Sequence, residues 1–447
     1  MAGYKQLNVL WFILGLGSKL QIVASLSITE LICLIMAPII FMQDQVKIRR
    51  YGIMPFFSLS CLVAVGCLVA SLLNYTPGYF FIRGLAVACL LPCSILMAVR
   101  MFDRSMNGFK WYFLGAAISA VLSIFVFQAE VEKSQLAAGA EGMAAVADIV
   151  KGPLFWLSRL GPFIAAPIQG WYLHTPFAYS LLAPLFLTVL AMAMSASGRA
   201  VALTSLMAFA FVLIGQKTRQ RMRLISRYFI VLIALGVVGV FVLKGFYAMA
   251  ASKGWLGEDS RRKYEVQTRG KSGMMDLLIG GRIASFVGYA ACLDNPIIGY
   301  GPFPEDKKDY VGQFLEKYGS EQDYVDYIVG LQREMRLGFK LVRTIPAHSC
   351  VVSFWLQFGI FGLLFWVYVL FVLFRYLKQD ITAVPQFYGW MACSIPSILW
   401  AMFFSPFSAR FSTPLFVVAC LIARAVRMGK IRMPLEMIRE IDKAERK

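Results

Sequence analysis

Apolar runs long enough to cross a bilayer recur along most of the chain, separated by short polar stretches. A membrane-spanning helix needs about 20 mainly apolar residues. Such runs lie at roughly 7–24, 26–42, 53–73, 79–99, 109–128, 176–194, 200–215, 228–248, 359–377, 388–406 and 412–427. The polar stretches between them are unequal in charge. QDQVKIRRYG (43–52) carries Lys47, Arg49 and Arg50, and RMFDRSMNGFK (100–110) carries Arg100, Arg104 and Lys110. QKTRQRMRLISR (216–227) carries Lys217, Arg219, Arg221, Arg223 and Arg227; Arg375 and Lys378 follow a later run, and the tail is basic from Arg424. Lysine and arginine concentrate in cytoplasmic loops, so all five stretches are expected on that side.

Parity then demands an even number of crossings between 110 and 216, where three runs are obvious. The fourth is expected within 152–175, an apolar, aromatic segment interrupted by Gly161, Pro162 and Pro167, as in a broken span. With it the count is twelve and both termini are cytoplasmic. The alternative is that 152–175 lies in the interface and another assignment is wrong. On the twelve-span reading the turn 195–199, the turn before Arg83, the long stretch 249–348 and the loop 406–411 share the opposite, non-cytoplasmic side.

The stretch 249–348 is too long to be a simple connector. It opens basic (Arg261, Arg262, Lys263, Arg269, Lys271). In 280–293 the residues Ile283, Phe286, Val287, Ala290 and Leu293 recur at helical spacing, which predicts an amphipathic helix in the membrane interface. DNPIIGYGPFPEDKKDY is rich in turn residues, and 305–343 reads as charged helix with a solvated face. The chain thus divides into membrane helices over 1–248, a large non-cytoplasmic loop over 249–348, further membrane helices over 349–427 and a basic tail over 428–447.

Composition sharpens this to an all-α, polytopic membrane protein of about twelve helices. Of 447 residues 59% are hydrophobic and 15% charged, with mean hydropathy +0.66; soluble chains carry about 25% charge. No cleavable signal peptide is evident. A net charge of +19 would suggest nucleic acid in a soluble protein, but loop asymmetry accounts for it and no nucleic-acid partner is expected. The nine cysteines show no zinc spacing or CxxC pair. Seven lie in apolar runs as packing residues, while Cys292 and Cys350 flank the long loop and are not expected to pair.

Candidate chemistry gathers on the non-cytoplasmic side. Arginine near a span faces a cavity or headgroups, and its planar fork matches phosphate. Arg83, Arg199, Arg282 and Arg410 therefore form a candidate phosphate-binding set. Each also has a plain reading: a buried structural pair for Arg83, a headgroup contact for Arg199, snorkelling for Arg282 and a loop residue for Arg410. His348 begins the stretch where the chain re-enters the membrane. Pro346 suits a helix first turn, which would set His348 at a helix start, where a neutral imidazole is favoured and can act as base. The rival reading is a histidine satisfying its own hydrogen bonds at the interface. Gly359 and Gly362 beyond it permit a bend or close approach. His174, at a predicted cytoplasmic turn, reads as structural. No aspartate pair with metal spacing, DxD, GxxxxGK[ST] or GxSxG motif occurs, so no metal or cofactor is expected. Arginines with one histidine, on the outer face, suggest transfer from a lipid-linked phosphate or pyrophosphate donor.

Three segments resemble the O-antigen ligase and O-antigen polymerase superfamily. SASGRAVALTSLMAFAFVLI resembles its Ser-Arg turn and following span. GGRIASFVGYAACLDNPIIGYGPF resembles its Gly-Arg pair, amphipathic helix and Pro-x-x-Gly-x-Gly turn. AHSCVVSFWLQFGIFGLLFW resembles its histidine before a helix and Gly-x-x-Gly span. Ser349 stands where the family often has Asn, and Phe286 where a Trp often follows the Gly-Arg pair. The resemblance implies a metal-independent, inverting glycosyltransferase of the GT-C type. Its donor would be an undecaprenyl-pyrophosphate-linked glycan, used on the periplasmic face of the bacterial inner membrane, with 249–348 as a periplasmic loop. Arg199 and Arg282 would bind the pyrophosphate leaving group and His348 would activate the acceptor hydroxyl. The acceptor would be a second lipid-linked glycan in a polymerase, which the amphipathic loop favours, or lipid A-core in a ligase, with protein a third option. An anionic-lipid transporter or flippase would use the same arginines without His348; the chain shows none of the inverted repeats such proteins often carry.

Overall fold

A computed structural model describes residues 2–18, 20–23, 26–104, 283–318, 344–347, 349–381, 383–384, 387–404 and 411–431, with scattered positions over 111–253. In the order described, the elements are α1 (Ala2–Gly17), a hairpin of β1 (Gln21–Val23) and β2 (Leu26–Ser27), α2 (Ile28–Arg50), α3 (Met54–Leu73) and α4 (Gly78–Arg104). Then come α5 (Ile283–Asp294), α6 (Tyr310–Tyr318), α7 (Cys350–Phe358) and α8 (Ile360–Arg375). A π-helical turn (Tyr376–Asp380) precedes α9 (Tyr388–Phe404) and α10 (Ser412–Arg427). Four helices among the described residues are long and apolar enough to cross a membrane: 28–50, 54–73, 78–102 and 360–380.

α2, α3 and α4 form a consecutive bundle, α8 packs on α3, and α10 packs on α4 and the π turn. Phe56 of α3 stacks on Phe365 and Tyr368 of α8 at 5.4 and 5.7 Å. Trp11 meets Phe102 edge-on at 5.3 Å. Gly66 lets α3 approach α7, since a Cβ there would lie 2.6 Å from the Phe358 carbonyl oxygen. The outward faces are as apolar as the core. Ile35, Ile39, Met42 and Val46 form an exposed stripe on α2, and Leu364, Val367, Phe371 and Phe374 form one on α8. Exposed apolar stripes at helical spacing are a liability in water and the proper surface for hydrocarbon.

The structure corrects several expectations. The run at 7–24 is not one span: α1 stops at Gly17, where a Cβ would meet Ile28 and Thr29. A two-stranded hairpin replaces the remaining turns, so the described chain is not purely helical. The next helix starts at a capping box: Ser27 Oγ accepts from Glu30 N–H at 3.3 Å and Glu30 Oε2 accepts from Ser27 N–H at 2.8 Å. That helix, expected to end near 42, runs to Arg50. Its polar end is sustained by Asp44, only 1% exposed, which pairs with Lys47 at 2.9 Å and Arg100 at 2.8 Å. The runs at 53–73 and 412–427 match α3 and α10 closely. Those at 152–175, 176–194, 200–215 and 228–248, and the turn holding His174, lie outside the described residues.

Candidate functional site

The helix expected from Pro346 begins later. Ser349 is its N-cap: Ser349 Oγ accepts from Val352 N–H at 3.3 Å and donates to the Met402 carbonyl at 2.6 Å. Pro346 instead lies in an extended segment, where Ile345 N–H donates to the Pro304 carbonyl at 2.8 Å and Thr344 bridges Glu305. Serine wins the cap because its side chain satisfies an orphan amide, which proline cannot do.

α7 and α8 are two pieces of one apolar stretch, broken at Gly359 (φ 62, ψ −149). A break frees helix-terminal amides and carbonyls, and in an apolar setting each needs a partner. The turn after α5 supplies them. Ile360 N–H donates to the Ile297 carbonyl at 2.9 Å, and Tyr300 N–H donates to the Leu356 carbonyl at 2.7 Å. Trp355 Nε1–H adds a bond to the Pro296 carbonyl at 2.8 Å. Two glycines with positive φ make the fit sterically permissible. A Cβ on Gly299 (φ 74) would lie 2.7 Å from Gly359 N, and one on Gly301 (φ 82) would lie 2.7 Å from Thr76 Oγ1.

The same turn docks on the α3–α4 connection. Asn74 Nδ2 donates to the Gly299 carbonyl at 3.1 Å and to Ala70 of its own helix at 2.7 Å. Pro302 lies against Gly84, where a Cβ would collide with its ring. Arg83, five residues into α4, holds its guanidinium 4.7 Å from the centre of the Phe303 ring, a cation–π contact. Phe80 supports that ring at 5.3 Å. Arg83 Nε is buried and has no hydrogen-bond partner among the described residues. The reading of Arg83 as one half of a structural ion pair is therefore replaced by an arginine held by an aromatic face.

α5 crosses the chain just before His348. A Cβ on Gly288 would lie 2.8 Å from the Pro346 carbonyl oxygen, 2.9 Å from Val352 Cγ1 and 3.3 Å from Ala347 Cβ. This sets which face of α5 is buried. Val287, Gly288, Ala291 and Cys292 face the protein, whereas Phe286, Ala290 and Leu293 of the predicted apolar stripe are exposed. Small residues admit the neighbouring backbone, and the bulky face is turned away, as in a helix lying in an interface. Cys292 and Cys350 are buried and are not joined in a disulfide.

A polar network fastens α6 to α5. Tyr310 Oη donates to Asp294 Oδ2 at 2.7 Å, so Tyr300 Oη, also 2.7 Å away, must be the donor in the tyrosine pair. Lys308 Nζ reaches Asp294 at 3.1 Å. Tyr310 and then Lys308 hold the Asp294 carboxyl below its usual range. Burial, with the bonds to Tyr300 and Asp294, pushes the Tyr310 phenol up, and Asp294 pushes Lys308 up. Asp306 accepts from the Tyr310 and Val311 amides at 2.8 and 3.2 Å and so starts α6.

Of the predicted site residues, Arg83 is described; Arg199, Arg282, His348 and Arg410 lie outside the described residues. What the structure brings together is their setting: the start of α4, the Pro296–Phe303 turn, α5 directly after Arg282, and the two neighbours of His348, Ala347 against α5 and Ser349 tied to α9. Asn74, Thr76, Phe303 and Trp355 were not singled out in the sequence. Asn74, at the end of an apolar run beside a Thr-Pro turn, is the one whose polarity marked it. Among the described residues no group of His, Cys, Asp or Glu could hold a metal ion. Compared with known protein families, curated proteins and solved structures, the chain matches none.

Proposed function

We propose that the protein is a metal-independent glycosyltransferase of the bacterial inner membrane. It moves an undecaprenyl-pyrophosphate-linked glycan to an acceptor sugar on the periplasmic face, most simply a second lipid-linked glycan, as a polymerase does. One observation supports this above the rest. The turn carrying the Pro-x-x-Gly-x-Gly pattern, the arginine-bearing start of α4 and both flanks of His348 meet at one end of the bundle. That end lies away from the basic helix ends.

In this reading Arg199 and Arg282 hold the pyrophosphate and stabilise its charge as it leaves. Arg83, with its buried and unpaired Nε, adds a phosphate contact from α4, and Arg410 contributes from the loop before α10. His348 takes the proton of the acceptor hydroxyl, which attacks the anomeric carbon and inverts it; the electron pair of the cleaved bond leaves with the pyrophosphate. The exposed bulky face of α5 lies in the interface, where a lipid-linked substrate travels.

The test is transfer by purified protein from a lipid-pyrophosphate-linked oligosaccharide, with and without lipid A-core, for the wild type, His348→Ala and Arg282→Ala. A ladder of longer lipid-linked glycans, lost in both variants, is expected. Product formed only with lipid A-core would make it a ligase. No transfer from the cognate donor, with donor still bound, would overturn the enzyme reading in favour of an anionic-lipid transporter.

A further inference from the structure

The opposite end of the bundle carries a cluster that the transferase reading leaves unused. α8 ends at Arg375 and tightens into the π turn Tyr376–Asp380, a local irregularity that is often functional. The turn carries Asp380 into the bundle, where it is 1% exposed. Arg427 of α10 approaches it, Nε to Oδ1 at 2.6 Å, and bonds Gln379 Oε1 at 3.1 Å. The approach to Asp380 is an ion pair without hydrogen-bond geometry, so that oxygen keeps an open lone pair. Arg375 and Arg424 also lie within electrostatic range of Asp380 and of Tyr368. Among the described residues, three guanidinium groups share one carboxylate, which leaves two positive charges unbalanced. Arg375 Nε is buried and lacks a hydrogen-bond partner among the described residues. The cluster is short of an anion with several acceptor oxygens.

We propose that Arg375, Arg424 and Arg427 form a binding site for the phosphate of an anionic membrane phospholipid, with Asp380 positioning Arg427. Phosphate chemistry fits the forked, converging donors. The apolar face of α8 selects a lipid over free phosphate: Phe371 and Phe374 are exposed within the last turn before Arg375, where acyl chains would lie. Basic pockets between helices on one side of a membrane are used in this way. The site does not depend on the transferase reading.

The experiment uses full-length protein, delipidated in detergent and titrated with phosphatidylglycerol, phosphatidylcholine or inorganic phosphate, read by native mass spectrometry and thermal unfolding. Phosphatidylglycerol should form retained adducts and raise the unfolding temperature; the other two should not. Arg375→Gln and Arg424→Gln should each weaken phosphatidylglycerol binding about fivefold. Arg50→Gln, at the end of α2, should leave it unchanged. Equal effects of phosphatidylglycerol and phosphatidylcholine would overturn the proposal, as would undiminished binding in both arginine variants. An equal effect of inorganic phosphate would overturn the lipid assignment. Should the glutamine variants not fold, the wild-type comparison of the two lipids decides alone, and Arg375→Lys tests the fork.

Discussion

The two ends of the bundle hold their arginines in opposite ways. At the basic end, carboxylates are built in: Asp44 takes Lys47 and Arg100, and Asp380 takes Arg427. At the end where α3 turns into α4, the described arginine has an aromatic ring instead of a carboxylate. Order there comes from backbone hydrogen bonds and crowded glycines. An arginine matched to a carboxylate has its charge spent within the protein. One laid on a phenyl ring keeps its charge for something else. At the basic end this holds for Arg100 and Arg427, whereas Arg375, like Arg83, keeps a buried Nε without a hydrogen-bond partner among the described residues, and those are the places where a charged ligand is wanted.

The comparison breaks most sharply at the glycines. Gly299→Ala combines positive φ with a clash at Gly359, and should destabilise by roughly 3 kcal/mol in reversible unfolding. Gly52 and Gly429 at the basic end also have positive φ, but no atom lies within 4 Å of where a Cβ would be. Alanine there should cost about 1 kcal/mol. Equal costs at Gly299 and Gly429 would show that the turn is not wedged into the helix break.

Next in size are the carboxylates. Asp380→Ala strands Arg427 and should cost roughly 2 kcal/mol, less than the about 3–5 kcal/mol of a fully buried pair because the Arg427 side chain is 38% exposed. Arg83→Ala, by contrast, should leave the unfolding midpoint within about 1 kcal/mol of wild type while raising KM for the lipid-linked donor about tenfold. A large loss of stability with unchanged KM would make Arg83 structural.

The smallest effect is a pH dependence. The Asp294 carboxyl is held below its unfolded value by Tyr310 and Lys308. Its contribution is therefore present above the unfolded pKa, about 3.9, and is lost as pH falls through the lower folded value. The hydrogen-exchange protection factors over 310–318, corrected for the intrinsic pH dependence of exchange, should hold at pH 6 and fall below about pH 4. Tyr310→Phe should shrink that loss, because the first of the two groups holding the carboxyl down is gone and the folded value moves back toward the unfolded one.

Much of this architecture was legible in the chain. The ends of α3 and α10 follow from where apolar runs meet Pro55, Asn74 and the basic pair Arg424 and Arg427. The region of close approach was visible as glycines around 299–301 and 359–362. What hydropathy hid was competition between local options. Ser27 and Glu30 form a capping box, a pattern averaged away by an apolar window, so α1 and the hairpin merged into one expected span. Ser349 outbid Pro346 for the start of α7. In α5 the bulky residues set the expected face, whereas the available space behind Pro346 and Ala347 admits only small ones. The partner of Arg83 was unreadable because Phe303 is 220 residues further along the chain.

The break at Gly359 also constrains how the protein is made. α7 and α8 leave the ribosome after the turn that completes them, and α8 carries an amide whose acceptor is the Ile297 carbonyl. Until that turn has folded back, the newest helix pair enters the bilayer with backbone groups unmatched, each a cost of several kcal/mol. The turn after α5 therefore acts as a chaperone in cis for the helices that follow it. Lengthening or cutting the chain between 304 and 344 should show first as defective membrane insertion of α8, before any change at the site itself.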